Sequence, residues 1–303
     1  MRRVLVLGFA VALVLTACGG APSSVGTTPA GVPKTLRVGL IPNISPEKQR
    51  ATYRPFAEYL ASTLGVKVDL FVASDYAGVV AALVGKRIDV AYLGGLTFAQ
   101  AERQVPLRPL VTEVDRETGT PKYLSAIVVR NDSPAKDLRR DIVAAGKRFA
   151  FGDISSTSGS LYPRMMLVQA GARCATTQLD HCPPLASVRF TGGHDATAEA
   201  VLSGQVDAGG LELRILHRLE RDGTIPPNRL RVIAQREVQG YPWVIRRDLG
   251  DPAAGAVRRA FLSIKDPKLL DLLRARSYVA VGDADYQEIR QRAGQLGLLG
   301  PTQ

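Results

Sequence analysis

The sequence predicts an α/β protein of two lobes with a cleft between them, and three observations carry that expectation. Apolar, β-branched runs alternate with segments whose apolar residues recur at helical spacing, first over residues 36–103 and again from residue 138 onward. The run Gly85, Lys86, Arg87, Ile88, Asp89, Val90 that follows a helix in the first half is echoed by Gly204, Gln205, Val206, Asp207, Ala208 at the same place in the second. Two long strand-like segments, 107–114 and 123–130, join the halves, and an apolar segment at 240–245 offers a way back. A chain that leaves one lobe and returns to it has two hinge strands and can close on a ligand.

The elements follow in order. Met1, Arg2 and Arg3 precede an apolar run at 4–15, too short to span a bilayer, and Leu15, Thr16, Ala17 and Cys18 come next. This resembles the bacterial lipoprotein signal, which implies removal of residues 1–17 and lipid on Cys18; a plain secretory peptide is the alternative. Residues 18–34, rich in Pro, Ser, Thr and Gly, then form a flexible tether to the outer face of the cell membrane. Residues 36–41 form a strand stopped by Pro42 and Pro46. A helix follows over 50–64, with Tyr53, Phe56, Ala57, Leu60 and Leu64 on one face and Gly65 as its stop. Strands at 66–72 and 87–95 alternate with helices at 75–84 and 96–103, the pattern of a parallel sheet with its ligand at the strand C-terminal ends.

In the second half a helix at 138–145 and a strand at 148–151 restart the alternation, continued by a strand near 187, a helix at 196–203 and strands at 204–208 and 230–234. C-terminal helices at 253–264, 267–276 and 286–293 return to the first lobe. The expected division is 35–126 with 244–303 as lobe 1, and 127–243 as lobe 2.

The formal charge of +11 admits nucleic acid, anionic lipid or an anionic solute as a partner. With 6% aromatic residues and no basic run interleaved with aromatics, nucleic acid is disfavoured. Cys174 and Cys182 lie close together and, in an oxidising compartment, read as a disulfide. A metal site with His181 would lack a fourth ligand. His181 and His217 read as surface residues.

The stretch that organises the rest is the strand at 148–151, the turn Gly152, Asp153, and then Ser155, Ser156, Thr157, Ser158 and Gly159 ahead of apolar residues at helical spacing. The first N–H groups of a helix have no internal partner and the dipole is positive there, so a tetrahedral oxyanion is a natural ligand. An ordinary Ser/Thr N-cap is the alternative. Gly193, His194 and Asp195 make a second anion-facing turn.

Leu36 to Pro42, the Asp75–Tyr76 helix start, Ile88 to Gly94, the Ser156, Thr157, Ser158, Gly159 turn, and Gly193, His194, Asp195 ahead of Gly204 to Asp207 resemble the phosphonate, phosphite and phosphate binding subunits of bacterial ABC importers over roughly residues 35–250. The resemblance implies a periplasmic-binding-protein fold (type II), no enzymatic activity, no cofactor and no metal. It further implies a monomer that hands its solute to a membrane permease driven by an ATPase. Carried over to this sequence, the oxyanion is held by Ser156, Thr157 and Ser158 with their amides, by Tyr76 and Tyr123, and by His194. Glu212 and Tyr241 fall at or beside the positions where amine-binding members carry acids, and a Tyr in place of Asp fills the room an aminoethyl tail needs. The expected ligand is therefore phosphate or phosphite before an aminoalkylphosphonate. Asp75, Asp153, Asp195 and Glu212 are candidate acceptors for a phosphate hydroxyl, with phosphate slightly favoured over phosphite. Two other classes stay in view: a sensor ectodomain of the same fold, and a hydrolase using Ser156 or Ser158 with His194 as base, against which stands the absence of a nucleophile elbow.

Overall fold

A computed structural model describes residues 26–273 and 275–300. The signal segment, Cys18 and the tether as far as residue 25 lie outside the described residues. Eleven strands are described, and they form two mixed sheets, each covered by helices. The first sheet contains β1 (Thr35–Leu40), β2 (Lys67–Val72), β3 (Val90–Tyr92), β4 (Leu107–Asp115), β10 (Trp243–Arg246) and β11 (Ala275–Ala280), in the order β11-β4-β10-β3-β1-β2. The second contains β5 (Lys122–Arg130), β6 (Arg148–Phe151), β7 (Ser187–Phe190), β8 (Ala208–Glu212) and β9 (Leu230–Gln239), in the order β7-β6-β8-β5-β9. In each sheet three strands pair parallel; the short β10 joins the first trio antiparallel at β3 and carries β4 on its other side, while the long β5 joins the second trio antiparallel at β8. This is the α/β two-lobe architecture expected from the alternating pattern.

The helices are α1 (Pro46–Leu64), α2 (Tyr76–Val84), α3 (Gly95–Ala101), α4 (Tyr162–Gln169), α5 (His194–Leu202), α6 (Leu213–Arg221), α7 (Gly250–Leu262), α8 (Pro267–Leu272) and α9 (Gln287–Gln295). Among the described residues none is long and apolar enough to cross a membrane. Asp75 caps α2 by accepting from Gly78 N at 2.7 Å, and Gly65 ends α1 at a φ of 65°, a conformation that glycine adopts without steric cost.

The echoed sequence runs have one structural meaning. Asp89 accepts from the backbone N–H of Arg37 and from its guanidinium at 2.9, 2.9 and 2.6 Å, clamping the start of β1 to the turn before β3. Asp207 does the same for Arg148 at the start of β6, at 2.9, 3.0 and 2.9 Å. Each lobe therefore carries the same bidentate, charge-assisted clamp.

Three expectations shift. The run 204–208 is mostly the turn that carries Asp207, and the strand is β8. The helix expected over 267–276 stops at Leu272, and Ala275–Ala280 instead pairs with β4, giving that long strand a partner on its outer side. The helix expected from residue 196 begins at His194, with Gly193 as its cap residue.

The chain passes from the first sheet to the second over residues 116–121 and returns over 240–242. The expected switch at residue 126/127 lies within β5, all of which pairs in the second sheet. At the return, Gly240 N donates to Pro121 O at 2.9 Å. A Cβ there would stand 2.2 Å from Thr112 Oγ1, so only glycine lets the two passes lie side by side. Cys174 and Cys182 form the expected disulfide. Arg164 of α4 is fully buried, its guanidinium 4.8 Å over the Phe151 ring and its Nη1 3.4 Å from Cys182 Sγ, which ties α4 to the disulfide loop. Burial pushes its pKa down to about 10.

Candidate anion site between the lobes

The Ser-Thr-Ser-Gly turn opens a helix, as its composition predicts. A single π-helical turn, Thr157–Leu161, leads directly into α4, with Ser156 as cap residue. Ser156 Oγ accepts from Gly159 N at 3.0 Å, while Ser160 N and Leu161 N both reach Ser156 O at 3.1 Å. Close approach makes Gly159 necessary: a Cβ there would stand 2.9 Å from Ser156 Oγ and 3.0 Å from His194 Cε1. The same glycine brings α5 against the turn.

Around this turn several buried polar atoms converge without partners. Among the described residues, Ser158 Oγ, Tyr123 Oη and His194 Nε2 have no hydrogen-bond partner. The Tyr123 phenol lies against Ser158 without a well-formed hydrogen bond, and the Tyr76 phenol is set against Ser156. Burial, and then the charge of Glu212, raises the Tyr123 pKa; burial, and then Asp153, raises that of Tyr76. Both phenols therefore remain O–H donors. His194 accepts at Nδ1 from the backbone N–H of Glu212 at 3.3 Å, which leaves the ring proton on Nε2. Burial holds its pKa below the usual imidazole range, against the opposing pull of Glu212 and Asp195. The neutral ring is thus a donor at the atom that lacks a partner. Unpartnered donors at a helix start are what an oxyanion requires.

The lobes meet at the same place. Thr157 Oγ1 accepts from Leu96 N, at the start of α3 in the first lobe, at 2.9 Å, and Thr97 Oγ1 donates to Ser155 O at 2.9 Å. His194 N donates to Asn43 O at 3.2 Å, and Asp195 Oδ2 accepts from Ser45 N at 3.2 Å. Thr157 is therefore a strut between the lobes. Of the carboxylates considered as acceptors, Asp75 is spent as a helix cap and Asp195 bonds Ser45 and Ala196. Asp153 adjoins the turn: it accepts from Ser155 N at 2.7 Å and from the backbone N–H of Tyr76, and desolvation raises its pKa.

Glu212 and Tyr241 adjoin the cluster but are bonded to each other, Tyr241 Oη donating to Glu212 Oε2 at 2.5 Å. The Tyr241 ring stacks on Tyr92 and tilts against Tyr123, both at 5.0 Å. Sequence reasoning missed Arg214, whose guanidinium joins Glu212, Glu113 and Asp115, and Asn43, whose buried Oδ1 has no partner among the described residues. The position of Asn43, just past the C-terminal end of β1, was the available signal for it. His217 bonds Glu117 at the surface. Among the described residues no cluster of His, Cys, Asp and Glu is arranged to hold a metal.

The profile of the family described as ABC transporter, phosphonate, periplasmic substrate-binding protein matches residues 38–286. The chain is 29% identical over 296 residues to the phosphate-import protein PhnD of Mycolicibacterium smegmatis, covering 92% of this chain and 91% of that protein. It is 28% identical over 267 residues to the phosphonates-binding periplasmic protein of Escherichia coli, covering 86% and 76%. PhnD1 from Prochlorococcus marinus, solved in complex with methylphosphonate, shares the fold with a TM-score of 0.76 at 24% identity, over 88% of this chain and 99% of that one. With two α/β sheets, a cleft that gathers oxyanion donors, and a profile spanning most of its length, this chain belongs to the phosphonate-binding family of periplasmic substrate-binding proteins of ABC transporters.

Proposed function

We propose that this protein captures inorganic phosphate or phosphite between its lobes for import, with phosphate favoured and small phosphonates as weaker ligands. One observation carries the proposal: among the described residues Ser158 Oγ, Tyr123 Oη and His194 Nε2 are buried without partners beside a helix start, while Glu212, which adjoins the cluster, is engaged by Arg214 and Tyr241. Hydroxyl, phenol and neutral imidazole donors suit a tetrahedral anion, whereas an ammonium would meet Glu212 already bonded to Arg214 and Tyr241, and burying it unpaired would cost several kcal/mol, roughly. Tyr76, Ser156 and Thr157 complete the cradle with their hydroxyls and nearby amides. Similarity to a phosphate-import protein along nearly the whole chain supports the same choice.

The mature chain starts at Cys18, which carries lipid and anchors a monomer to the outer face of the cell membrane. There it delivers solute to a permease and its ATPase. Calorimetric titration of the purified protein with phosphate, phosphite, methylphosphonate and 2-aminoethylphosphonate tests the ligand. Tightest binding of the amine, or no binding of any of the four, would overturn the proposal. Replacing Cys18 with Ser should move the protein from the membrane fraction to the soluble one, and unchanged fractionation would remove the anchor.

A further inference from the structure

Three carboxylates are buried beside the anion cradle: Glu212 at the end of β8, and Glu113 and Asp115 on β4. Among the described residues one guanidinium bonds all three. Arg214 Nη2 bonds Glu113 Oε1 at 2.8 Å, Nη1 bonds Asp115 Oδ2 at 3.3 Å, and Nε bonds Glu212 Oε1. The guanidinium also lies 4.9 Å over the Tyr123 ring and 5.4 Å over the Tyr241 ring. Carboxylates flanked by aromatic faces are the ordinary receptor for an organic cation. Here the cation is supplied in cis, from α6 of the second lobe onto β4 of the first. The remaining space beside it, lined by Asn43, Tyr53, Tyr92, Glu212 and Arg218, amounts to about 30 Å³, room for one water.

We propose that Arg214 is the specificity filter of this protein: its guanidinium fills the acidic recess next to the oxyanion cradle and so excludes phosphonates that carry an ammonium tail. The inference rests on the capture of a phosphorus oxyanion proposed above. It adds that rejection of the amine is an occupied charge site, not only a lack of space. Tyr241 assists by donating its O–H to Glu212 Oε2, the oxygen that Arg214 Nε leaves free. Removing the guanidinium alone leaves buried carboxylates without their cation, an arrangement that favours any cation able to enter.

The test compares wild type with Arg214→Ala, using phosphate, 2-aminoethylphosphonate and uncharged ethylphosphonate, an analogue that lacks the ammonium. In wild type, phosphate should bind at least 100-fold tighter than the amine. In the variant that ratio should narrow at least tenfold through gained affinity for the amine, with ethylphosphonate gaining far less. An unchanged ratio, or an equal gain by ethylphosphonate, would overturn the filter. Methylguanidinium should raise the melting temperature of Arg214→Ala and leave that of wild type unmoved; no rise would count against the recess as a cation site. Should Arg214→Ala not fold, Arg214→Gln keeps much of the stem, loses the charge and carries the same comparison. If wild type bound none of the phosphorus compounds, the capture proposal would fail, and the methylguanidinium measurement would still decide whether the recess takes a cation.

Discussion

The backbone N–H of Glu212 donates to Nδ1 of His194 at 3.3 Å, and this bond chooses the tautomer that points a proton into the cleft. Among the described residues this buried neutral imidazole has no partner at Nε2, and on the proposed function the captured anion takes that donor. His194→Ala should weaken phosphate binding at least tenfold, about 1.4 kcal/mol. His194→Gln, whose amide also donates, should recover part of the loss. Calorimetry checks both, and wild-type affinity in the alanine variant would remove His194 from the site.

Tyr123 and Ser158 bring buried hydroxyls that make no bond of their own among the described residues. Deleting such a group takes nothing from the fold and, if the proposed function holds, removes a ligand contact. Tyr123→Phe and Ser158→Ala should each lower phosphate affinity about tenfold. Their ligand-free melting temperatures should equal or exceed that of wild type. A variant that melts early with unchanged affinity would show the hydroxyl to be structural.

Thr157 tells a different story, because its Oγ1 already accepts from Leu96 N across the cleft. Thr157→Val should weaken binding by about 1 kcal/mol through loss of that interlobe bond, while Thr157→Ser, which keeps the oxygen, should bind nearly as wild type. Equal behaviour of the two variants in titration would refute the strut.

Asp153 is the acidic residue held closest to the turn, against Ser155 N and the Tyr76 backbone. A carboxylate there can accept from the hydroxyl of monohydrogen phosphate, which phosphite replaces with a nonpolar P–H. Asp153→Asn should therefore reduce phosphate affinity more than phosphite affinity, by at least threefold. Equal losses for the two anions would assign Asp153 to the turn alone.

The Arg148–Asp207 clamp makes stability depend on acid. The side-chain bonds from Arg148 come first in holding the Asp207 pKa below its ordinary value of 3.8. A depressed carboxylate stabilises the fold above its unfolded pKa, and that stability is lost as pH falls from about 3.8 through the folded value. The clamp is partly exposed, so solvent screening keeps its contribution small. Thermal melts between pH 5 and 2 should show Asp207→Asn losing less on acidification than wild type; parallel losses would mean that the clamp carries no share of the acid sensitivity.

Much of this was legible because it is local. The Ser-Thr-Ser-Gly turn, the helix opening at Asp75 and the stop at Gly65 declare themselves through nearest-neighbour chemistry, and the bounds 148–151 of β6 can be read to the residue. The repeated Gly-to-Asp runs were visible as an echo, but their meaning needed Arg37 and Arg148, which sit 52 and 59 positions from their partners. Arg214 was invisible for the same reason: Glu113 and Asp115 lie about a hundred residues upstream, on a strand of the other lobe. The helical pattern runs on to residue 276 and gives no sign of β11, because the demand for that strand comes from the outer side of β4, not from its own sequence. The direction of Glu212 likewise depends on which neighbour reaches it first, and only tertiary packing decides that.

The pairing of Gly240 with Pro121 has a mechanical consequence. Two linkers with separate bonding would let the halves of the molecule roll, shear and splay independently. Here the outgoing and returning passes are laminated by Gly240 N to Pro121 O and pinned from behind by Tyr286 Oη on Gly240 O at 3.0 Å. Bonded to each other in this way, the two passes are held to move as a pair, so a change of angle between the sheets would bend both at once.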